Sequence, residues 1–264
     1  MSNQIENLFD FPQCLLSKYK PLNLIGKGAY GEVWKALHMR NNVLVAVKVF
    51  RSLFVDCVDS KRILREIYLL KRMKHPNIIQ VLDICVENLT NFQSVYVVLE
   101  YMPYNLSQSM TVLKNVNVKV IYKIIYQLLK VLSYLKKKNI MHRDMKPCNI
   151  LIDDSFNVKV CDFGISRNID RKKGKSFDNL SNLSATSFKQ LRENRLSDIT
   201  NLPSYFFSIA KYNDNIEKKQ MQPLTHRIGT RWYRAPELIL INNMYDEKID
   251  VWATGCVVAE MIGI

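Results

Sequence analysis

The spacing of apolar residues changes along the chain. In the first hundred residues, β-branched runs at 43–49 and 95–99 lie between polar turns, which predicts buried strands. Between these runs, residues 59–73 carry apolar side chains three and four positions apart, the period of a helix with one buried stripe. That stripe consists of Ile63, Ile67, Leu70 and Met73.

The second part of the chain favours helices. Residues 116–135 carry apolar side chains at a helical period. The period is carried by Val120, Ile124, Leu128, Val131 and Leu135. The chain therefore passes from a mostly β lobe to a mostly α lobe, an α+β arrangement with its boundary near residues 102–104.

Residues 168–224 differ from both lobes. They are dense in Asn, Ser and Lys, with scattered aromatic residues and no sustained period. Such a segment buries too little apolar surface to offset the conformational entropy that ordering would remove. We therefore expect a mobile insertion here.

Composition narrows the class of protein. The 264 residues include 38 Lys and Arg against 24 Asp and Glu, a formal net charge of +14, and 48% are hydrophobic. These values exclude a wholly disordered chain, a collagen and a small disulfide-stapled domain. The charge favours anionic partners, but the basic residues are spread out and form no recognisable nucleic-acid module, so we expect no nucleic acid among them.

Cysteine spacing and hydropathy indicate the environment of the chain. The six cysteines are scattered without a C-x-x-C pair, which predicts reduced thiols in a reducing compartment and no zinc site. Residues 1–13 contain no apolar core of a secretory signal. The longest apolar tract, 251–264, is interrupted by Glu260 and is too short to cross a bilayer. We expect a soluble cytoplasmic or nuclear protein with no membrane partner.

A glycine-rich run matches the pattern G-x-G-x-x-G-x-V. The run is Gly26, Lys27, Gly28, Ala29, Tyr30, Gly31, Glu32 and Val33. Glycines allow backbone N–H groups to approach phosphates that a Cβ atom would hold off. The same pattern opens a helix in dinucleotide-binding folds, whereas here it leads into residues 33–36, a run typical of a strand. A β-hairpin over phosphates is the better interpretation.

Lys48 lies in the otherwise apolar run at 43–49. An unpaired buried charge is costly, so this lysine must find an anion. The helix predicted at 59–73 offers Glu66 as its partner. An ordinary carboxylate on the helix surface is the alternative interpretation of Glu66.

The segment at 142–149 reads H-R-D-M-K-P-C-N and is followed by D-F-G at 162–164. Asp144 is suited to orient an attacking hydroxyl and accept its proton, and Lys146 to neutralise a phosphoryl group in transfer. Asn149 and Asp162 supply the hard oxygen ligands that Mg²⁺ prefers on nucleotide phosphates. Together with the glycine run and Lys48, this pattern predicts phosphoryl transfer.

In these motifs the chain resembles a eukaryotic protein kinase over residues 19–264, apart from the insertion. The run T-R-W-Y-R-A-P-E at 230–237 resembles the group of cyclin-dependent and mitogen-activated protein kinases. The runs L-R-E-I at 64–67 and S-V-Y-V-V at 94–98 are most similar to the mitogen-activated branch. The resemblance implies a two-lobed kinase fold: an extension at 1–18, a β-rich N-lobe at 19–102 and a helical C-lobe at 103–264 that stops after its central helix.

The resemblance also implies roles for individual residues, with ATP and Mg²⁺ as cofactors. Lys48 would bind the α- and β-phosphates of ATP and pair with Glu66. The other residues implied in nucleotide binding are Ile25, Gly26, Lys27, Gly28, Ala29, Tyr30, Gly31, Val33, Ala46, Glu100, Met102 and Leu151. Thr230 with Lys146 favours serine and threonine as phosphate acceptors. The R-W-Y-R run at 231–234 resembles that of proline-directed kinases, so protein substrates with Ser-Pro or Thr-Pro sites are expected.

Control by phosphorylation is expected to differ from that of the mitogen-activated branch. Where those kinases carry Thr-x-Tyr, this chain reads T-H-R at 225–227, so we expect an upstream kinase to phosphorylate Thr225 alone. A kinase fold would bring Arg65, Arg143 and Arg167 together around that phosphate.

Two alternatives to an active kinase stay open at the level of the sequence. An incomplete C-lobe favours a nucleotide-binding pseudokinase or a scaffold fragment without activity. A basic nucleic-acid-binding protein would need aromatic residues interleaved with Arg and Lys in a recognisable module.

Overall fold

A computed structural model describes residues 11–28, 31–51, 57–87, 94–168, 230–240 and 245–263. The described residues divide into two compact units. The first comprises residues within 11–63 and 80–101, and the second comprises residues within 64–79 and 102–263. The insertion predicted at 168–224, except Asn168, lies outside the described residues, and so do Ala29, Tyr30 and Thr225.

The first unit is built on a five-stranded antiparallel sheet with the order β1-β2-β3-β5-β4. Its strands are β1 (Tyr19–Gly28), β2 (Gly31–His38), β3 (Val43–Phe50), β4 (Val81–Val86) and β5 (Val95–Glu100). The strands predicted at 43–49 and 95–99 are confirmed as β3 and β5. They lie side by side in the interior of the sheet, where β-branched side chains are favoured.

A short helix, α1 (Gln13–Leu16), precedes the sheet and packs on one of its faces. Phe11 and Leu15 are buried there among side chains of all five strands. The full cluster is Phe11, Leu15, Tyr19, Trp34, Ala36, Val45, Val47, Val49, Cys85, Tyr96 and Val98. The described part of the extension therefore belongs to the core of the first unit.

The prediction that all six cysteines are reduced is wrong for one pair. Cys14 in α1 and Cys85 in β4 form a disulfide, with their Cα atoms 6.7 Å apart. A separation of 71 residues hides this pair from any spacing rule, because only the packing of α1 on the sheet brings the two together. Cys148, Cys161 and Cys256 carry reduced thiols.

Helices dominate the rest of the structure. They are α2 (Cys57–Arg72), α3 (Leu106–Leu113), α4 (Val118–Lys137), α5 (Pro236–Ile239) and α6 (Lys248–Ile262). The boundary between the two units falls within α2, between residues 63 and 64. Short strands pair between them: β6 (Tyr104–Asn105), β7 (Ile140–Met141), β8 (Ile150–Ile152), β9 (Val158–Val160) and β10 (Arg167–Asn168). The sheet orders are β6-β8-β9 and β10-β7. The predicted α+β fold is confirmed.

Both predicted helices are present, with one correction. The helix predicted at 59–73 is α2, and its predicted stripe is buried. The helix predicted at 116–135 is α4, which starts two residues later because the Asn117 side chain accepts a hydrogen bond from the Lys119 backbone N–H. Its buried stripe begins at Ile121 rather than Val120 and then follows spacings of three and four. Among the described residues, no helix combines the length and apolarity needed to span a bilayer.

Candidate active site

The glycine run forms the hairpin between β1 and β2 in the first unit. Gly28 pairs with Gly31 at its end, and Ala29 and Tyr30, between them, are not described. Gly31 has φ +140°, and a Cβ atom there would collide with the backbone carbonyl oxygen of Val49. Only glycine fits a backbone that approaches β3 this closely.

Gly26 and Gly28 are explained differently. A Cβ on Gly26 would lie 3.7 Å from Val33, ordinary van der Waals contact, and one on Gly28 would meet no atom within 4 Å. Packing within the chain therefore does not require glycine at these positions. A group from outside the chain that comes close to the backbone would require it, and a nucleotide phosphate is such a group.

Sheet register places the nucleotide-binding candidates of the first unit on one face. Val33 lies opposite Lys48, and Lys35 lies opposite Ala46. Side chains alternate between the faces of a strand, so these residues point away from the face that α1 covers. The Lys48 ammonium lies 5.0 Å from the centre of the Phe50 ring.

The other nucleotide candidates are placed as follows. Ile25 is 43% exposed on β1, and Lys27 on the same strand forms an ion pair of 3.8 Å with Glu32. The Glu100 carboxylate, at the end of β5, accepts a hydrogen bond of 2.7 Å from the Gln80 backbone N–H. Met102 follows in the second unit, and Leu151 lies there on β8.

Three predicted residues of the second unit converge on the carboxylate of a fourth, Asp144. The Lys146 ammonium lies 2.7 Å from Asp144 Oδ2, and the Asn149 amide donates to the same oxygen at 3.0 Å. Thr230 donates to Asp144 Oδ1 from its backbone N–H at 3.2 Å and from its hydroxyl at 3.3 Å. The two oxygens of Asp144 are thus held by a cation, an amide and a hydroxyl.

Lys146 remains a cation in this cluster. Partial burial acts to lower the pKa of its ammonium, but the hydrogen bond and the charge of Asp144 outweigh burial and leave that pKa above its ordinary value. The Lys146 ammonium therefore keeps its charge at neutral pH. An ammonium held beside the carboxylate is placed to meet a transferring phosphoryl group.

Asp250 on α6 positions the loop that carries Asp144, and the sequence motifs did not identify it. Its carboxylate accepts hydrogen bonds from the backbone N–H groups of His142 at 2.6 Å and Arg143 at 2.8 Å. Arg143 has φ +70°, a conformation that a non-glycine residue adopts only when its surroundings enforce it. Burial raises the pKa of the Asp250 carboxyl above its ordinary value, although the charge of His142 and these hydrogen bonds act in the opposite direction.

A second link joins the loop to the D-F-G segment. His142 Nε2 lies 3.0 Å from the Cys161 carbonyl oxygen, and its ring makes an edge contact with Phe163 at 4.6 Å between centroids. The Cys161 N–H donates to the Asn149 carbonyl oxygen at 2.9 Å. These contacts hold Asp162, one residue further on, in a left-handed conformation with φ +64°.

Asn149 and Asp162 carry the amide and carboxylate oxygens that Mg²⁺ prefers as ligands. The Asn149 Nδ2 donates to the backbone oxygen and the carboxylate of Asp144. Its amide oxygen, to which the Cys148 thiol donates at 3.8 Å, is the atom that would bind a metal. An amide oxygen and one carboxylate, completed by nucleotide phosphates and water, are the usual ligands of this ion.

Two of the three predicted regulatory arginines contact adjacent carbonyl groups. Arg65 on α2 donates to Gly164 O at 2.8 Å, and Arg143 donates to Ile165 O at 2.7 Å and to the Tyr245 hydroxyl at 3.0 Å. Burial lowers the pKa of the Arg143 guanidinium, and the charge of Arg167 adds to this. Arg65 and Arg143 thus contact the neighbouring carbonyl groups of Gly164 and Ile165, and Arg167 is close enough to influence the pKa of Arg143.

Comparison with known proteins decides the family. The protein kinase domain matches residues 19–187 and 207–263. The chain belongs to the protein kinase family. The kinase resemblance of its motifs is thereby confirmed, and Asp250 lies within the matched domain.

The kinase chain is similar to several mitogen-activated protein kinases. Mitogen-activated protein kinase 2 of Arabidopsis thaliana is 32% identical over 268 residues, which cover 99% of this chain and 58% of the relative. Extracellular signal-regulated kinase 2 of Dictyostelium discoideum is 34% identical over 96% of this chain and 57% of the relative. Mitogen-activated protein kinase 3 of Oryza sativa subsp. japonica is 32% identical over 100% and 59%. The chain thus spans somewhat more than half the length of these relatives.

Proposed function

We propose that the protein is an ATP-dependent protein kinase that phosphorylates serine and threonine. The observation that carries the proposal is the Asp144 carboxylate, held by Lys146, Asn149 and Thr230 in the second unit. Phosphoryl transfer needs a carboxylate for the attacking hydroxyl and a cation for the moving charge, and this cluster contains both.

The proposed reaction is a single displacement at the γ-phosphorus of ATP. Asp144 orients the hydroxyl of the protein substrate and takes its proton as the new P–O bond forms and the bond to the β-phosphate oxygen breaks. Lys146 neutralises charge on the phosphoryl group in transfer. Asn149 and Asp162 would hold Mg²⁺, which neutralises charge on the nucleotide phosphates.

The first unit would bind the nucleotide. Gly26, Gly28 and Gly31 let the hairpin backbone approach the phosphates, and Lys48 would hold the α- and β-phosphates with Glu66 as its carboxylate partner. Val33 and Ala46 would contact the adenine, and Leu151, Glu100 and Met102 are the further adenine-binding residues that the family resemblance implies. The shared sheet face of Val33, Ala46 and Lys48 supports this assignment.

The finer specificity is also part of the proposal. Thr230 and Lys146 contact the same carboxylate, which supports serine and threonine acceptors, and the R-W-Y-R run at 231–234 favours a proline after the target residue. An upstream kinase would phosphorylate Thr225, and Arg65, Arg143 and Arg167 would bind that phosphate. Mitogen-activated relatives support a signalling role, and the cytoplasm or nucleus is the compartment proposed for it.

The test is transfer of labelled phosphate from γ-labelled ATP to a library of Ser-Pro and Thr-Pro peptides. Asp144→Asn keeps the size of the side chain but removes the base, so transfer should fall about 10²–10⁴-fold. The matched control is Asp153→Asn, whose aspartate caps the surface turn at 153–157. Equal transfer by the wild type and Asp144→Asn would refute the proposed activity and leave a nucleotide-binding scaffold.

A further inference from the structure

The segment before the sheet, residues 11–18, is anchored at three points in the first unit. The Phe11 ring makes edge contacts with Trp34 and Tyr96, at centroid distances of 6.0 and 5.9 Å. Leu15 is fully buried, and the Lys18 ammonium forms an ion pair of 2.8 Å with Asp83. We call residues 11–18 the N-terminal segment.

The Cys14–Cys85 pair lies where this segment meets β4. Cys85 is only 7% exposed and is covered by the segment, whereas Cys14 is exposed at the surface. A small thiol or disulfide therefore reaches the sulfur of Cys14 first. Cys85 can then react only with Cys14, so the site favours a bond within the chain over a stable adduct of Cys85.

A line of contacts runs from the segment to the glycine hairpin. Trp34, which Phe11 contacts, donates from its indole N–H to the Glu32 carboxylate at 3.3 Å. Glu32 lies opposite Lys27 in the strand register and forms ion pairs with Lys27 at 3.8 Å and Arg51 at 3.6 Å. Anything that fixes the N-terminal segment thus also restrains the strand that follows Gly31.

We propose that Cys14 and Cys85 are a reversible redox site whose oxidation fixes the N-terminal segment on the sheet and restrains the glycine hairpin. The oxidant is a low-molecular-weight disulfide of the glutathione class. The Cys14 thiolate attacks one sulfur of the oxidant, forms a mixed disulfide and releases one glutathione thiolate. The Cys85 thiolate then attacks the Cys14 sulfur and releases the second, so two protein thiols are oxidised while one external disulfide is reduced to two thiols.

The first experiment tests the site itself and needs no kinase activity. The full chain is equilibrated with glutathione disulfide or with dithiothreitol, alkylated, digested and mapped by mass spectrometry. We expect the peptide that holds Cys14 to be joined to the peptide that holds Cys85 after oxidation and separated after reduction. Cys256→Ser, in α6 of the second unit, is the matched control and should leave the link unchanged. A chain that stays unlinked, or a glutathione adduct on Cys14 alone, would overturn the site.

Docking of the segment should make the link form readily. Phe11→Ala retains both thiols but removes the aromatic contacts, so the linked fraction at a fixed ratio of glutathione disulfide to glutathione should fall several-fold. Because Phe11→Ala keeps both cysteines, it can replace Cys14→Ser, the variant used in the next two experiments, if Cys14→Ser fails to fold. An unchanged linked fraction in Phe11→Ala would contradict the role of docking.

Hydrogen exchange tests the effect on the hairpin. Reduction of the wild type should speed exchange in residues 15–18, 24–28 and 31–36 several-fold, and Cys14→Ser should exchange at the faster rate under both conditions. Equal exchange in the hairpin of oxidised and reduced protein would overturn the coupling.

The consequence for nucleotide binding rests on the proposed function and is measured separately with a fluorescent ATP analogue. We expect several-fold tighter binding in the oxidised wild type and no redox effect in Cys14→Ser. A linked chain that binds no analogue in either state would refute the proposed function while the redox site stands. A linked chain that binds equally in both states would refute the coupling.

Discussion

The two units hold their functional groups in different ways. In the second unit, side chains hold Asp144, and the buried Asp250 binds the loop that carries it. In the first unit, the conformation of the backbone and the strand register hold the glycine hairpin in place. The chemical groups of the second unit are therefore fixed before any substrate arrives. The first unit offers open space at Gly28, and Lys48 stands on the same sheet face as Val33. Substitutions should show this difference. In the second unit they should displace the catalytic groups, whereas at the phosphate-binding positions of the first unit they should weaken binding of the nucleotide phosphates.

The largest effect is expected for Lys48→Met. If Lys48 supplies the cation for the nucleotide phosphates, its loss should reduce phosphate transfer at least about 10²-fold. Stability should change little, because methionine retains the unbranched stem in β3 and removes only the charged end. Lys35→Met is the matched control on the same sheet face, where the ammonium lies 4.7 Å from the centre of the Tyr101 ring. Transfer within threefold of the wild type would exclude Lys48 as the phosphate-binding lysine.

Asp250→Asn should reduce phosphate transfer less than Lys48→Met does, and it should also lower the stability of the protein. An amide presents one acceptor oxygen where the carboxylate presents two, so the N–H groups of His142 and Arg143 can no longer both be satisfied. A buried donor without an acceptor costs about 1–3 kcal/mol of stability, and a shifted loop would lower transfer by about tenfold to a hundredfold. Chemical denaturation and steady-state kinetics measure the two effects.

The control for Asp250→Asn is Asp246→Asn near the start of the same helix. Asp246 pairs with Lys248 at the surface, so its substitution should change stability by no more than about 0.5 kcal/mol. Equal effects of the two substitutions would mean that Asp250 does not position the catalytic loop.

The contrast between the units also explains what the sequence could predict. Asp144, Lys146 and Asn149 lie within six residues, so their spacing alone revealed the cluster, and the apolar periods of 43–49 and 59–73 revealed a strand and a helix. Asp250 meets His142 across 108 residues, and a carboxylate that binds backbone N–H groups leaves no pattern in the residues it binds. The same holds for Cys14 and Cys85, which only the packing of α1 brings together.

The smallest effects sharpen the comparison within the first unit, where Gly31→Ala and Gly28→Ala should separate stability from nucleotide binding. Alanine at position 31 must occupy a strained backbone at φ +140° and push against the carbonyl of Val49, so it should destabilise the first unit by about 1–3 kcal/mol.

Alanine at position 28 meets no atom of the chain within 4 Å, so stability should stay within about 1 kcal/mol of the wild type. Its methyl group would instead occupy space that a phosphate needs, which should raise the KM for ATP several-fold with little change in kcat. Thermal unfolding and kinetics with varied ATP measure both variants. If Gly28→Ala left the KM unchanged, the open space at the hairpin would not be the phosphate site, whatever Gly31→Ala did to stability.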